Sequence, residues 1–168
     1  MGLLKAWYEC RMIFLFLSIY AIFHFAYFQV PDDVLREVVY YQGFGVVCVQ
    51  FIHFFAPLEP VSALHNHLQS PRADLEIVRG CDGAGALFLL LAAILAFPAS
   101  IKRKVIGLVL GALLMYCLNL VRLIGLYFLV AYHNGWFLLV HTYLAPTLLV
   151  VLACLFFAWW AFGSTSIQ

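Results

Sequence analysis

One cysteine in this chain stands where a thiol could do chemistry. Cys81 lies in the run Arg79-Gly80-Cys81-Asp82-Gly83, a short polar turn just ahead of the apolar stretch 84–99. Cys10, Cys48, Cys117 and Cys154 have aliphatic and aromatic neighbours instead and read as small buried hydrophobes. A thiol at the mouth of a helix can become a thiolate, because the free N–H groups there favour negative charge. Two more groups extend the set. Arg122 is the single charge in 105–132, and a charge within hydrocarbon ordinarily faces the bundle interior and marks a site. Snorkelling to the outer surface is its bland alternative. Asn119, three residues earlier, shares its helix face and could hydrogen-bond what Arg122 holds. His141 is the one basic side chain in 137–162.

These residue types suit acyl transfer. An imidazole can take the thiol proton and return it to a leaving amine. A fixed cation can stabilise the thiolate, or the oxyanion formed when sulfur attacks a peptide carbonyl. The resulting thioester on Cys81 could pass to an amine, a hydroxyl or water. His133, in the polar link 133–136, is the rival base. His65 and His67 invite a metal, but no third ligand stands at a fixed spacing, and they read as surface residues. Five cysteines without a C-x-x-C pair support neither a disulfide framework nor a zinc site, so no metal and no cofactor is expected.

The elements that must hold these groups are membrane helices. Of the 168 residues, 66% are hydrophobic and 10% charged, with a mean hydropathy of +1.02. Soluble domains run near ~50% apolar and ~25% charged, so composition alone predicts an all-α polytopic membrane protein. The length accommodates one domain, residues 1–168. A formal charge of +1 and the lack of a basic cluster argue against a nucleic-acid partner.

Residues 12–30 form a first span, flanked by Lys5 and Arg11 and too long for a cleavable signal core. Pro31-Asp32-Asp33 ends it. The stretch 34–56 is apolar yet carries Arg36, Glu37, Gln50 and His53, and reads as an interfacial or re-entrant helix or else a further span. Residues 57–80 form a small extracytoplasmic hairpin, with 61–69 and 75–79 as arms around Ser70-Pro71-Arg72-Ala73. The stretches 84–99, 105–132 and 137–162 are spans, giving four to five membrane-embedded helices. Gly107 and Gly111 form a G-x-x-x-G face for helix packing. Lys102-Arg103-Lys104 marks the cytoplasmic side and therefore puts Cys81 outside. At ~1.5 Å per residue, Cys81, Arg122 and His141 each rise ~28–31 Å above residues of the inner surface, which is one common level.

Cys81-Asp82-Gly83 at a helix start, Asn119-Leu120-Val121-Arg122 in the next span and His141 in the last resemble the exosortase/archaeosortase family, over roughly 57–162. The short length and His141-Thr142-Tyr143 are similar to its compact exosortase H subgroup. The resemblance implies a membrane-embedded cysteine protease and transpeptidase with Cys81 as nucleophile, Arg122 as oxyanion or thiolate stabiliser and His141 as base. It also implies Asn119, Asp82 and Arg79 beside the substrate. The implied substrates are exported proteins with a C-terminal hydrophobic sorting signal, cleaved on the outer face of a bacterial inner membrane and transferred to an unknown surface acceptor. Asp82 departs from the small or amide residue common after the cysteine. Its charge would raise the thiol pKa unless Arg79 or Arg122 offsets it. A non-catalytic membrane scaffold, in which Arg122 merely pairs with Asp82 or Glu76, is the competing class.

Overall fold

The structure, a computed structural model, describes residues 2–163, so residues 1 and 164–168 of the expected domain lie outside it. Five helices and one small sheet account for its order. They are α1 (Gly2–Gln29), α2 (Asp32–Phe55), β1 (Ser62–Leu64), β2 (His67–Gln69), β3 (Asp74–Glu76), α3 (Ala84–Ala96), α4 (Ile101–Tyr132) and α5 (Asn134–Phe162). Four of the helices are long and apolar enough to cross a membrane, and α3 is a shorter apolar helix. This is an all-α polytopic membrane protein with one small three-stranded sheet. The helices are apolar all round because lipid, rather than a core, takes up most of their surface.

The chain divides into two compact units. Among the described residues the first takes 2–29, 85–115 and 150–163. Here the Phe88 ring lies 5.6 Å from each of the Phe23, His24 and Tyr27 rings. A Cβ on Gly107 would stand 2.5 Å from Trp160 Nε1, and one on Gly111 would stand 3.1 Å from Leu90 and Phe156. The two glycines thus let α5 and α3 approach the α4 backbone. Arg103 donates to the carbonyls of Trp160 and Gly163, satisfying the last turn of α5.

The second unit takes residues 30–84 and 116–149, and it holds the polar residues of interest. Within α2, residues Leu35–Gly45 wind as a π-helix before α-helix resumes at Val46. A second π-helical stretch, Val140–Leu144, lies near the start of α5. Such widened turns are uncommon and often mark functional positions, because one extra residue per turn re-aims the side chains.

The sheet differs from the expected hairpin. Its order is β1-β2-β3, all antiparallel, with Ala63 opposite Leu68 and Leu68 opposite Leu75. The expected arm 61–69 folds on itself at His65-Asn66, where His65 takes φ +52° and Ile77 N–H donates to the Asn66 carbonyl at 2.7 Å. The other arm ends at Glu76 rather than Arg79. Cys81 N–H closes a turn onto the Val78 carbonyl at 2.9 Å, with Gly80 at φ +87°. Leu68, Leu75 and Ile77 bury one face of the sheet, while Asp74 and Glu76 face outward.

Candidate active site

Cys81 is placed by two glycine conformations. Gly80 and Gly83 both take positive φ, +87° and +73°, which an L side chain adopts only at a cost. Between them the chain reverses from the sheet into α3, and Asp82 Oδ1 accepts from Ala84 N–H at 3.2 Å at the helix entrance. Cys81 itself is 3% exposed.

Arg122 comes from α4. Its Nη1 donates to the Cys81 carbonyl at 3.2 Å and its Nη2 stands 4.0 Å from Cys81 Sγ. The buried Nε of Arg122 has no partner among the described residues. His141 comes from the π-helical stretch of α5, with Nδ1 3.8 Å from Cys81 Sγ and its ring stacked on Phe137 at 5.0 Å. A sulfur, a guanidinium and an imidazole from three separate elements therefore converge at one point.

Asn119, one turn before Arg122, is 2% exposed and donates from Nδ2 to the Asp82 carbonyl at 2.9 Å. Its carboxamide occupies the space beside Gly83, where a Cβ would lie 2.8 Å from Asn119 Oδ1. Arg79 reaches away from the thiol, binding Asp32 Oδ1 at 2.8 Å and the Val30 carbonyl. His133 is exposed in the link before α5, and the sulfur's imidazole neighbour is His141.

The electrostatics differ from the expected thiolate at a helix mouth. Burial pushes the Cys81 thiol above its ordinary range; Arg122 pulls it down and Asp82 pushes it up. The thiol is buried, and desolvation outweighs the single cation. A thiol held in this way gives up its proton less readily, so a base within reach matters to any attack by sulfur.

A family model described as transmembrane exosortase matches residues 7–160. The chain belongs to the transmembrane exosortase family. No curated protein and no solved structure matches it.

Two features of this exosortase are invisible to motif reading. Tyr40, from the π-helical part of α2, is 4% exposed and points its hydroxyl at Asp82 Oδ2 at 3.5 Å. Glu59, in the link before β1, is buried and accepts from Tyr127 at 2.8 Å and from Tyr132 at 2.7 Å. Arg72, in the β2–β3 turn, adds a hydrogen bond to Tyr132 and an ion pair with Glu59 at 3.8 Å. The Tyr132 and Tyr127 hydrogen bonds hold the Glu59 carboxyl below its ordinary pKa. No signal at short range links these residues, because 68 and 73 positions separate Glu59 from its two tyrosines. Among the described residues no group of three or more His, Cys, Asp or Glu side chains is arranged to hold a metal ion.

Proposed function

We propose that this exosortase is a membrane-embedded cysteine transpeptidase that cleaves the C-terminal sorting signal of exported proteins and passes them to a surface acceptor. The carrying observation is Cys81 Sγ within 3.8 Å of His141 Nδ1 and 4.0 Å of the Arg122 guanidinium. Both contacts are longer than a tight hydrogen bond, as is common in sites without substrate.

In this reading His141 Nδ1 takes the Cys81 proton as sulfur bonds to the scissile carbonyl carbon, and the carbonyl electrons move onto oxygen. Arg122 stabilises that oxyanion, with its unpartnered Nε as a spare donor. Collapse breaks the C–N bond, and the proton on His141 goes to the departing amine. A thioester on Cys81 remains. An incoming amine or hydroxyl gives its proton to His141, attacks the thioester and releases the thiolate, which recovers that proton. Asn119, Asp82 and Arg79 act as positioning residues around the thiol turn rather than as substrate contacts. The site belongs on the extracytoplasmic side of a bacterial inner membrane, in keeping with substrates that have already been exported.

The test is mass spectrometry of the chain recovered from its host membranes after rapid acid quench. The expected result is a C-terminally truncated protein in thioester linkage to Cys81, lost on hydroxylamine treatment and absent from Cys81→Ala. Unimpaired substrate processing by a stably inserted Cys81→Ala variant would overturn the proposal in favour of a scaffold.

A further inference from the structure

The pairing register leaves one edge of the sheet with its backbone groups free. Ser70 N–H donates to the Ala73 carbonyl at 2.8 Å and Ile77 N–H to the Asn66 carbonyl at 2.7 Å. With Leu68 opposite Leu75, these contacts make 73, 75 and 77 the positions of β3 that bond inward to β2. The N–H and C=O groups of Asp74 and Glu76 must then point out of the sheet, and none has a backbone partner among the described residues. The helix α2 packs on the face of the sheet that carries Ala63, Leu68 and Leu75, where a Cβ on Gly45 would stand 3.3 Å from the Ala63 Cβ.

We infer that the outer edge of β3 is where the substrate docks, an extended segment on the N-terminal side of the scissile bond adding itself as a fourth strand. The inference rests on the acyl-transfer reading above and supplies its mode of recognition. An unpaired strand edge is a template for an extended peptide, whose main chain gives affinity while alternate side chains give selectivity. Three observations commit the edge to this occupant. First, it is continuous with the thiol: Glu76 and Cys81 are five residues apart, and the intervening chain is a single turn closed by Cys81 N–H. Second, the outward N–H and C=O groups of Asp74 and Glu76 have no backbone partner among the described residues, so an added strand displaces no existing ladder bond. Third, the two faces of β3 differ in chemistry. The side chains of Asp74 and Glu76 are 57% and 55% exposed on one face, while Leu75 and Ile77 are buried on the other. A strand laid along β3 would present donor or cationic side chains to the carboxylates and apolar ones to the opposite face, in strict alternation.

The experiment uses proline as a donor deletion in the full-length protein in host membranes. Proline at an outward position removes an N–H that the sheet itself does not use, and edge strands tolerate it. Thioester adduct on Cys81 is quantified by mass spectrometry for Glu76→Pro against Glu76→Ala, and for Asp74→Pro against Asp74→Ala. Each alanine variant retains the N–H and removes the carboxylate. Only pairs whose members insert and resist heat equally in detergent are compared, and either pair suffices. Losing one backbone hydrogen bond to substrate should lower the adduct yield about tenfold in each proline variant relative to its alanine partner. Equal yields within the pair would overturn strand addition while leaving Cys81 chemistry standing. Absence of any adduct on the wild-type chain would instead remove the acyl-transfer reading, and this inference with it.

Discussion

Three glycines near the thiol differ in what they tolerate, and the differences are measurable. Gly83 combines φ +73° with a neighbour, Asn119 Oδ1, that would lie 2.8 Å from an added Cβ. Gly80 has φ +87° with nothing within 4 Å, while Gly85 lies in α3 with open space around it. Gly80→Ala should therefore cost only the left-handed conformation, about 1–2 kcal/mol, and Gly83→Ala should cost more because the buried Asn119 must also move. Gly85→Ala should stabilise by roughly 0.5–1 kcal/mol through helix propensity. Thermal unfolding in detergent checks the order, and Gly83→Ala unfolding no earlier than Gly80→Ala would contradict it. The thiol offers a second test. Its pKa is raised above the ordinary value of 9.0, so its alkylation rate should keep climbing as pH rises past 9. The sign of each neighbour follows. Asp82→Asn should move the profile to lower pH and Arg122→Gln to higher pH, read by mass spectrometry of iodoacetamide adducts on Cys81. Since the folded state holds this proton more tightly, the stability linked to it is present below the ordinary pKa and fades as pH rises through the folded one. The thiol, the guanidinium and the imidazole were legible because each is a chemical exception in its stretch: a cysteine among glycines and charges, a lone cation, a lone imidazole. Tyr40 was not legible, because a tyrosine among aromatic neighbours carries no such contrast.

At the scale of elements, two devices hold the site, and neither has a local signature. The β2–β3 turn is fastened to the end of α4 through Glu59, Tyr127, Tyr132 and Arg72. Tyr127 is fully buried, so Tyr127→Phe should destabilise by about 1 kcal/mol, the net worth of one hydrogen bond. Glu59→Gln should be less stable than wild type at neutral pH. That difference should shrink as pH falls from about the ordinary carboxylate value of 4.5 through the lower folded pKa, where the wild-type carboxyl is also neutral. Denaturation midpoints across that window test the sign, and a gap that widens toward acid would refute it. The second device is the π-helical stretch Val140–Leu144 that carries His141. Deleting Thr142 should let ordinary α-helix resume and turn His141 by ~100° relative to the rest of α5. If His141 is the base we propose, processing should fall at least about tenfold, with helical circular dichroism unchanged. Helix existence was legible from hydropathy, and so was the break at Pro57 to Arg79. A widened turn was not, since it depends on hydrogen-bond register rather than composition. The third strand escaped for a related reason. Its turn at His65-Asn66 places a non-glycine residue at positive φ, which asparagine signals weakly and histidine hardly at all.

For the whole molecule, the open question in the sequence is whether α2 crosses the bilayer, and we propose, from contacts within its own unit, that it does not. Length and hydropathy admit it as a span. Yet both of its ends are tied to elements on the side of the sheet. At the start, Asp32 binds Arg79, two residues before the thiol. Just past the end, Glu59 binds Tyr127 and Tyr132 in the last turns of α4. Between them Glu37 meets His65 at 2.6 Å and Gly45 backs onto Ala63, so the sheet lies alongside the helix rather than beyond one end of it. A crossing helix of 24 residues would separate its ends by ~36 Å, the thickness of the hydrocarbon and more. Residues 33 and 58 should therefore share a side of the membrane with the β2–β3 turn. Single cysteines at Asp33, Leu58, Ser70 and Ser100, introduced into a chain lacking its own five, test this with a membrane-impermeant maleimide. The first three should react in cells whose outer barrier alone is opened, and Ser100→Cys only after the inner membrane is breached. If Asp33→Cys and Leu58→Cys label from opposite sides, α2 is a span, and a helix that brings Tyr40 to Asp82 from the membrane surface is the wrong picture of how this thiol turn is held.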